Sequence, residues 1–148
     1  MYKRIMVAVD GSKTSNRALN EAVKLAKDQR AIIRLIHVVD EMPAYMGEVP
    51  YSIDDYRKSM RGGGRKVLAA AAAKAKAGRV RFDTKLTVIA GLSPRIWEAM
   101  NKEAKRWHAD LFVIGTHGRR GFDRFILGSV AEGMIRLAGT PVLVVQGR

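Results

Sequence analysis

Near its C-terminal end the chain reads Asp110-Leu111-Phe112-Val113-Ile114, directly followed by Gly115-Thr116-His117-Gly118. The first run is short and apolar, which is typical of a buried strand. Nine residues later come Gly128-Ser129, and residues 130–137 then repeat apolar side chains at helical spacing. The two glycine segments therefore lie between a strand and a helix, and this is where ligands bind in an open parallel sheet.

Such a junction suits a phosphate group. The first N–H groups of a helix have no partner within the helix and carry the positive end of its dipole, and glycine lets the backbone approach an anion closely. The hydroxyl of Ser129 either donates to a phosphate oxygen or only caps the helix. Arg119, Arg120 and Arg124 lie in the intervening span and either approach phosphate or are solvated.

The rest of the chain alternates strands with helices. Apolar runs predict strands over residues 2–9, 32–39, 83–89, 110–114 and 142–145, and helical periodicity predicts helices over residues 14–27, 54–77, 94–107 and 130–137. Strict alternation is typical of an α/β fold with a parallel sheet and helices on both faces. We therefore expect a single doubly wound domain over residues 1–148.

Three local features affect this pattern. Residues 40–53 contain several helix breakers and predict a long loop that is able to act as a lid. The run Gly62-Gly63-Gly64 either interrupts the second long helix or is tolerated within it. Ser93 is a good N-cap and Pro94 suits the first helical position, so the next helix should begin there.

Composition narrows the functional class. The chain has no cysteine and a formal net charge of +13, and we expect a cytoplasmic protein without a secretion signal or a membrane span. Ten Lys or Arg residues and a single acid, Asp83, lie between Arg57 and Lys85. This basic segment is either a solvated helix face or a surface for a polyanion such as nucleic acid.

Catalytic patterns are weak. The three histidines, His37, His108 and His117, do not pair at metal-binding spacing, and no nucleophile elbow is present. His37 lies inside a predicted strand, and both tryptophans lie on the apolar face of a predicted helix, so we expect all three in the core. The sequence therefore favours ligand binding, with at most a weak ATPase activity.

An acidic residue at the end of another strand completes a candidate pocket. Asp10 follows the first strand, whose carboxyl end should neighbour that of the fourth strand at a switch point of the sheet. The carboxylate of Asp10 is able to accept hydrogen bonds from a ribose or a base amine, or to help hold a cation. Together with the backbone around the glycine segments, this side chain outlines a mononucleotide site.

The chain resembles the universal stress protein family over essentially its whole length. The nucleotide-binding members carry the spacing that is present here as Gly115, Gly118, Gly128 and Ser129. Three further segments are similar to the family, and they are residues 3–12, 35–39 and 141–145.

The resemblance implies an adenine nucleotide alpha hydrolase-like fold with strand order 3-2-1-4-5. It also implies ATP as ligand, together with Mg²⁺ or Mn²⁺. The implied nucleotide-binding residues are Ala8, Val9, Asp10, Val38, Ile114, Gly115, His117, Gly118, Gly128, Ser129 and Val130. Ala131 departs from the hydroxyl residue that some members carry, which puts one phosphate or metal contact in doubt. The resemblance further implies a homodimer, in which Val142–Val145 pairs with its copy and covers an apolar edge.

Three functions remain in competition. The resemblance and the glycine spacing favour an ATP-binding stress-response regulator. The basic segment keeps open an interaction protein for nucleic acid or another polyanion, and the pocket keeps open a slow nucleotide hydrolase.

Overall fold

A computed structural model describes residues 1–49, 51–91, 94–117 and 127–147. Its strands are β1 (Arg4–Ala8), β2 (Ile32–Asp40), β3 (Arg81–Ile89), β4 (Leu111–Gly115) and β5 (Val142–Val145). Its helices are α1 (Lys13–Gln29), α2 (Met42–Tyr45), α3 (Ile53–Ala77), α4 (Ile96–Trp107) and α5 (Ser129–Leu137). All strand pairs are parallel, and the order is β3-β2-β1-β4-β5. The predicted fold class and strand order are confirmed.

The centre of the molecule is β1, which is covered on both faces. Its residues Ile5, Met6 and Val7 are 0% exposed. Because successive strand residues point to opposite faces, Ile5 and Val7 join a core cluster with α1 and α3, whereas Met6 joins another with α4 and α5. This two-sided burial explains the continuous apolar runs, as expected for a parallel sheet.

The glycine run does not interrupt α3, which is continuous over its 25 residues. Gly64 is buried against the sheet, and a Cβ there would lie 2.8 Å from Leu86 Cδ1 and 3.0 Å from side-chain atoms of His37 and Val39. A Cβ on Gly62 would meet nothing within 4 Å. Close packing of α3 on β2 and β3 thus requires a glycine at one position of the run, and the long flanking segments keep the helix intact.

Two predictions of local structure are wrong. The expected loop over residues 40–53 contains the short helix α2, in which Pro43 lies in the first turn, where proline is tolerated. The helix after β3 begins at Ile96 with Arg95 as N-cap, so Pro94 precedes the helix instead of opening it. The carboxylate of Glu98 accepts a hydrogen bond from Arg95 N at 3.3 Å and so satisfies a free donor of the first turn. Ser93 lies outside the described residues.

An ion-pair network lies near the amino ends of β2 and β3. The guanidinium of Arg34 donates two hydrogen bonds of 2.7 Å to Asp83 and one of 2.9 Å to Glu103. The hydrogen bonds to Asp83 are the main reason why the pKa of Arg34 is raised. Trp107 contacts both Arg4 and Arg34, whose guanidinium carbons are 4.6 and 4.8 Å from ring centroids of its indole. Trp107 is a core residue, as predicted, and the network ties α4 to β2 and β3.

In the part of the chain that the structure describes, no helix is both long and apolar enough to cross a bilayer.

Alanine at two positions of the glycine run tests the packing of α3. Gly62→Ala should raise the free energy of unfolding by about 0.5–1 kcal/mol, because alanine is the better helix former. Gly64→Ala should lower it, since overpacking costs about 1–3 kcal/mol and outweighs the same helical gain. Urea unfolding of the two variants measures the difference. Equal stabilisation by both would contradict the close contact at Gly64.

Candidate functional site

The first part of the site is the turn between β1 and α1, which fixes Asp10. The carboxylate of Asp10 accepts a hydrogen bond of 2.9 Å from Ser12 N, and Asp10 N donates to Ser15 Oγ at 3.1 Å. Ser12 caps α1, because its hydroxyl accepts from Ser15 N at 3.1 Å. These local bonds hold the half-buried Asp10 at the carboxyl end of the central strand.

The register brings the predicted residues of three strands to one edge. Ala8 lies opposite Ile36, and Val7 lies opposite Val113. If the same register is followed two or three residues further, Asp10 is level with Val38 on one side and with Thr116 on the other. Ala8, Val9, Val38 and Ile114 are all buried below this edge. The switch point between β1 and β4 therefore lies where the sequence predicts it.

Gly115 at the end of β4 is explained by packing. A Cβ there would lie 2.7 Å from Thr14 Cγ2 and 3.0 Å from the backbone carbon of Thr14. The first turn of α1 thus approaches β4 so closely that only glycine fits. The role of Gly115 that the structure describes is to set the distance between α1 and β4, whereas its predicted contact with phosphate stays a prediction.

His117, just beyond β4, has an unusual environment. Its Nδ1 shares a hydrogen bond of 2.7 Å with the hydroxyl of Thr116. Its Nε2 is buried and has no hydrogen-bond partner among the described residues. Since buried polar atoms are normally paired, this ring nitrogen is a candidate for contact with a ligand.

The start of α5 is joined directly to the end of β4. Gly128 N donates to the carbonyl of Thr116 at 2.7 Å, and a Cβ on Gly128 would lie 3.1 Å from that oxygen. Gly128 is the N-cap residue of α5, and no side chain among the described residues caps the helix. Ser129 and Val130 follow in the first turn, with Ser129 exposed. Within the described residues, the first N–H groups of α5 therefore have no capping side chain, and the helix start lies beside the end of β4.

A cavity of about 670 Å³ extends from this helix start toward the ends of β2 and β3. It is shared by α5, the first turn of α4 and the residues after β2. Its lining residues are Asp40, Met42, Ile89, Gly91, Pro94, Arg95, Ile96, Trp97, Ser129, Val130, Glu132, Gly133, Arg136 and Leu137. Of the predicted site residues that the structure describes, it contains Ser129 and Val130, and the others lie outside its lining.

Trp97 reaches this cavity because α5 carries a glycine opposite it. A Cβ on Gly133 would lie 2.4 Å from Trp97 Cγ, so the indole packs directly on the backbone of α5. The prediction that Trp97 belongs to the core is correct in part, because it packs against the second core cluster and also lines the cavity.

A buried carboxylate, that of Glu41, lies directly after β2 and next to the cavity. Glu41 is 2% exposed, and its carboxylate accepts hydrogen bonds of 2.7 and 3.2 Å from Arg61, with Arg57 at 3.6 Å. Burial, together with the neighbouring Asp40 carboxylate, raises the pKa of Tyr56. The pair of arginines fixes the first turns of α3 against the end of β2, next to the cavity.

Gly118, Arg119, Arg120 and Arg124 lie outside the described residues. Among the residues that are described, no three or more His, Asp or Glu side chains cluster as a metal site.

Sequence reasoning missed the cavity residues Asp40 and Trp97. Asp40 ends β2 in the way that Asp10 follows β1, and this parallel is a signal in the sequence. The apolar face of α4 conceals Trp97, because the sequence does not reveal that Gly133 opens α5 toward it. The prediction for His37 is correct in part: its ring is satisfied, since Nδ1 contacts the carbonyl of Val9 at 2.6 Å, but the residue is half-buried and lies outside the buried core.

Comparisons with known proteins agree with this geometry. The family model described as "Universal stress protein family" matches residues 1–146. The universal stress protein YxiE of Bacillus subtilis is 34% identical, and the match covers 99% of this chain and all of YxiE. A universal stress family protein from Burkholderia pseudomallei has a crystal structure similar to this one, with a TM-score of 0.78, 32% identity, and coverage of 97% of this chain and 96% of its own.

Two further structures of similar fold contain an adenine nucleotide. A universal stress protein in complex with cAMP has a TM-score of 0.65 and 25% identity, and the match covers 98% of this chain and 97% of its own. A family protein from Arabidopsis thaliana with AMP bound has a TM-score of 0.71 and 22% identity, over 99% of this chain and 92% of its own.

Proposed function

The chain belongs to the universal stress protein family, and from this premise we propose that it binds ATP and acts as a nucleotide-dependent regulator in stress responses. The proposed site is the crevice at the carboxyl ends of β1 and β4. The phosphates would lie at the start of α5, and the nucleoside would lie toward Asp10 and Val38.

The observation that carries this proposal is the start of α5, which no side chain of the described residues caps. A helix N-terminus without a capping side chain offers several N–H groups and a positive dipole end to an anion. Here the hydrogen bond from Gly128 N to Thr116 holds those groups beside β4. The hydroxyl of Ser129 lies in the same first turn and is exposed, so it is available to donate to a phosphate oxygen.

Two further features fit a nucleotide. The buried Nε2 of His117 lacks a partner among the described residues, and a ribose or phosphate oxygen would satisfy it. The cavity that begins at Ser129 has a volume of about 670 Å³, which is within the range of about 300–1,000 Å³ that is typical of ligand pockets. Its wall combines apolar groups with carboxylates and guanidinium groups, and it meets the proposed crevice at Ser129 and Val130.

The class of nucleotide rests on two arguments. Related proteins have been solved with cAMP and AMP, which supports an adenine base. The phosphate-binding spacing from Gly115 to Ser129 supports a polyphosphate and hence ATP. In nucleotide sites Mg²⁺ usually binds the substrate phosphates, several waters and one or two carboxylates. The phosphates of ATP would therefore be its main ligands here.

Isothermal titration with MgATP tests the proposal. We expect saturable binding, and Ser129→Ala should weaken it by about tenfold or more, since a hydrogen bond to a charged group contributes about 1.5–3 kcal/mol and 1.4 kcal/mol is a factor of ten. The matched control is Ser59→Ala, which removes an exposed serine hydroxyl from α3 and should leave the affinity unchanged.

Two results would contradict this assignment. One is the absence of binding heat at millimolar nucleotide with a protein that is folded by circular dichroism. The other is an equal affinity in the wild type and in Ser129→Ala, which would exclude a phosphate contact at the start of α5.

We also propose that the protein forms a homodimer through β5. This edge strand carries Leu143, which is 38% exposed, and the nearby α5 exposes 49% of Ile135 and 56% of Leu137. Antiparallel pairing of β5 with its copy would satisfy the free backbone groups of the edge and cover these side chains.

A lysine on either edge strand tests the dimer. Leu143→Lys should produce monomers in analytical ultracentrifugation, because the charge would be buried unpaired at the interface. Val88→Lys is the matched control, since Val88 lies on the opposite edge strand and is 37% exposed. A monomeric wild type, or dissociation by Val88→Lys as well, would refute pairing through β5.

A further inference from the structure

The basic segment between Arg57 and Lys85 does not form one surface. Arg57 and Arg61 point to the buried Glu41. Lys85 lies on the other side of the sheet, in a cleft that it shares with Lys102 and Arg106. A separate group remains on the outside of α3, and we call it the α3 outer face. It consists of the exposed residues Lys58, Arg65, Lys66, Lys74 and Lys76.

The charges of the α3 outer face are not neutralised by the protein. Residues 56–77 contain no Asp or Glu. Among the described residues, no carboxylate lies within 4.0 Å of any of the five cations, whereas Lys24 on α1 has Glu21 at 2.8 Å and Arg136 on α5 has Glu132 at 3.5 Å. Lys24 and Arg136 thus have carboxylate partners on their own helices, whereas the five cations of the α3 outer face have none among the described residues.

The continuous helix arranges part of this charge in a straight row. Arg65 lies 7 residues after Lys58, and Lys76 lies 11 residues after Arg65. Both spacings are close to whole numbers of helical turns, so the three side chains project from one flank. From Lys58 to Lys76 the row extends about 27 Å at 1.5 Å per residue. A break at the glycine run would have destroyed this alignment.

The side chains between the cations restrict the kind of polyanion. Residues 58–76 contain no aromatic residue, so the surface has no platform on which the bases of a single strand could stack. Apart from Met60, their exposed side chains also lack the aromatic and large apolar anchors of a membrane-surface helix. Between the cations at its two ends, the helix exposes the short side chains of Ala69, Ala70 and Ala73. These side chains permit a nucleic-acid backbone to approach the helix closely.

A rigid, straight polyanion with closely spaced charges fits these features, and a nucleic-acid duplex carries about one charge per 1.7 Å of its axis. We propose that the α3 outer face binds the phosphate backbone of a duplex without reading its sequence. On the same side of the sheet, α1 adds the exposed Lys13 and Lys27. Because α5 lies on the opposite side, duplex binding does not depend on the proposed nucleotide site.

Fluorescence anisotropy with a mixed-sequence DNA duplex tests the proposal over a salt series. About four phosphate contacts predict a slope of log K against log salt near −3.6, so the affinity should fall about 150-fold between about 50 and 200 mM salt. Arg65→Gln/Lys76→Gln should reduce the magnitude of this slope by about two, since each lost phosphate contact removes about one unit.

The matched control is Lys102→Gln/Lys105→Gln, which removes the same charge from exposed positions of α4 on the opposite side of the sheet. This variant should keep the slope and the affinity of the wild type. Both variants should bind MgATP as the wild type does, so that loss of duplex binding is distinguished from failure of the nucleotide proposal.

Several outcomes would overturn the proposal. They are the absence of duplex binding at about 50 mM salt, equal weakening by both double variants, and loss of MgATP binding in the α3 variant. Equal or tighter binding of a single strand of the same length, or of vesicles of phosphatidylserine and phosphatidylcholine, would also overturn it, because the surface would then not select a duplex.

Discussion

The structure depends on the central position of β1, which forms parallel ladders with β2 on one side and β4 on the other. Its backbone groups are far from water, so both edges of the strand must be paired. The chain therefore leaves β1 toward β2 and β3 and later returns past β1 to β4 and β5. The connections diverge at the carboxyl ends of β1 and β4, and the crevice at this point is a consequence of the strand order.

The same pairing separates the molecule into two sides. Alternation along β1 directs Val7 toward α1 and α3 and directs Met6 toward α4 and α5. The start of α5 and the cavity belong to one side, and the unbalanced positive charge of α3 belongs to the other. A single sheet thus supports two surfaces for anions that do not overlap.

The sequence predicted the features that depend on local pattern. Continuous apolar runs indicated the buried strands, and Val142–Val145 was predicted with its correct bounds. The neighbourhood of Asp10 and the end of β4 followed from the alternation of strands and helices, because parallel strands end at a common edge.

Features that depend on tertiary contact were not predictable in the same way. The glycine run was ambiguous because helix propensity alone disfavours it, and it is tolerated where Gly64 packs against Leu86 on the sheet. The short α2 lies next to Glu41, which is buried by Arg57 and Arg61 from a distant part of the chain. The cavity wall was not predictable either, because it depends on the packing of Trp97 on Gly133. Each of these contacts joins residues whose proximity no local pattern reveals.

The central claim is that a nucleotide occupies the crevice at the ends of β1 and β4. Amide hydrogen exchange with and without saturating MgATP tests it most directly, since it reports which backbone groups the ligand protects. The account predicts slower exchange at Asp10, at Thr116 and His117, and at the first residues of α5, with no change along α3. Protection confined to α3, or unchanged exchange at the start of α5 with nucleotide bound, would contradict it.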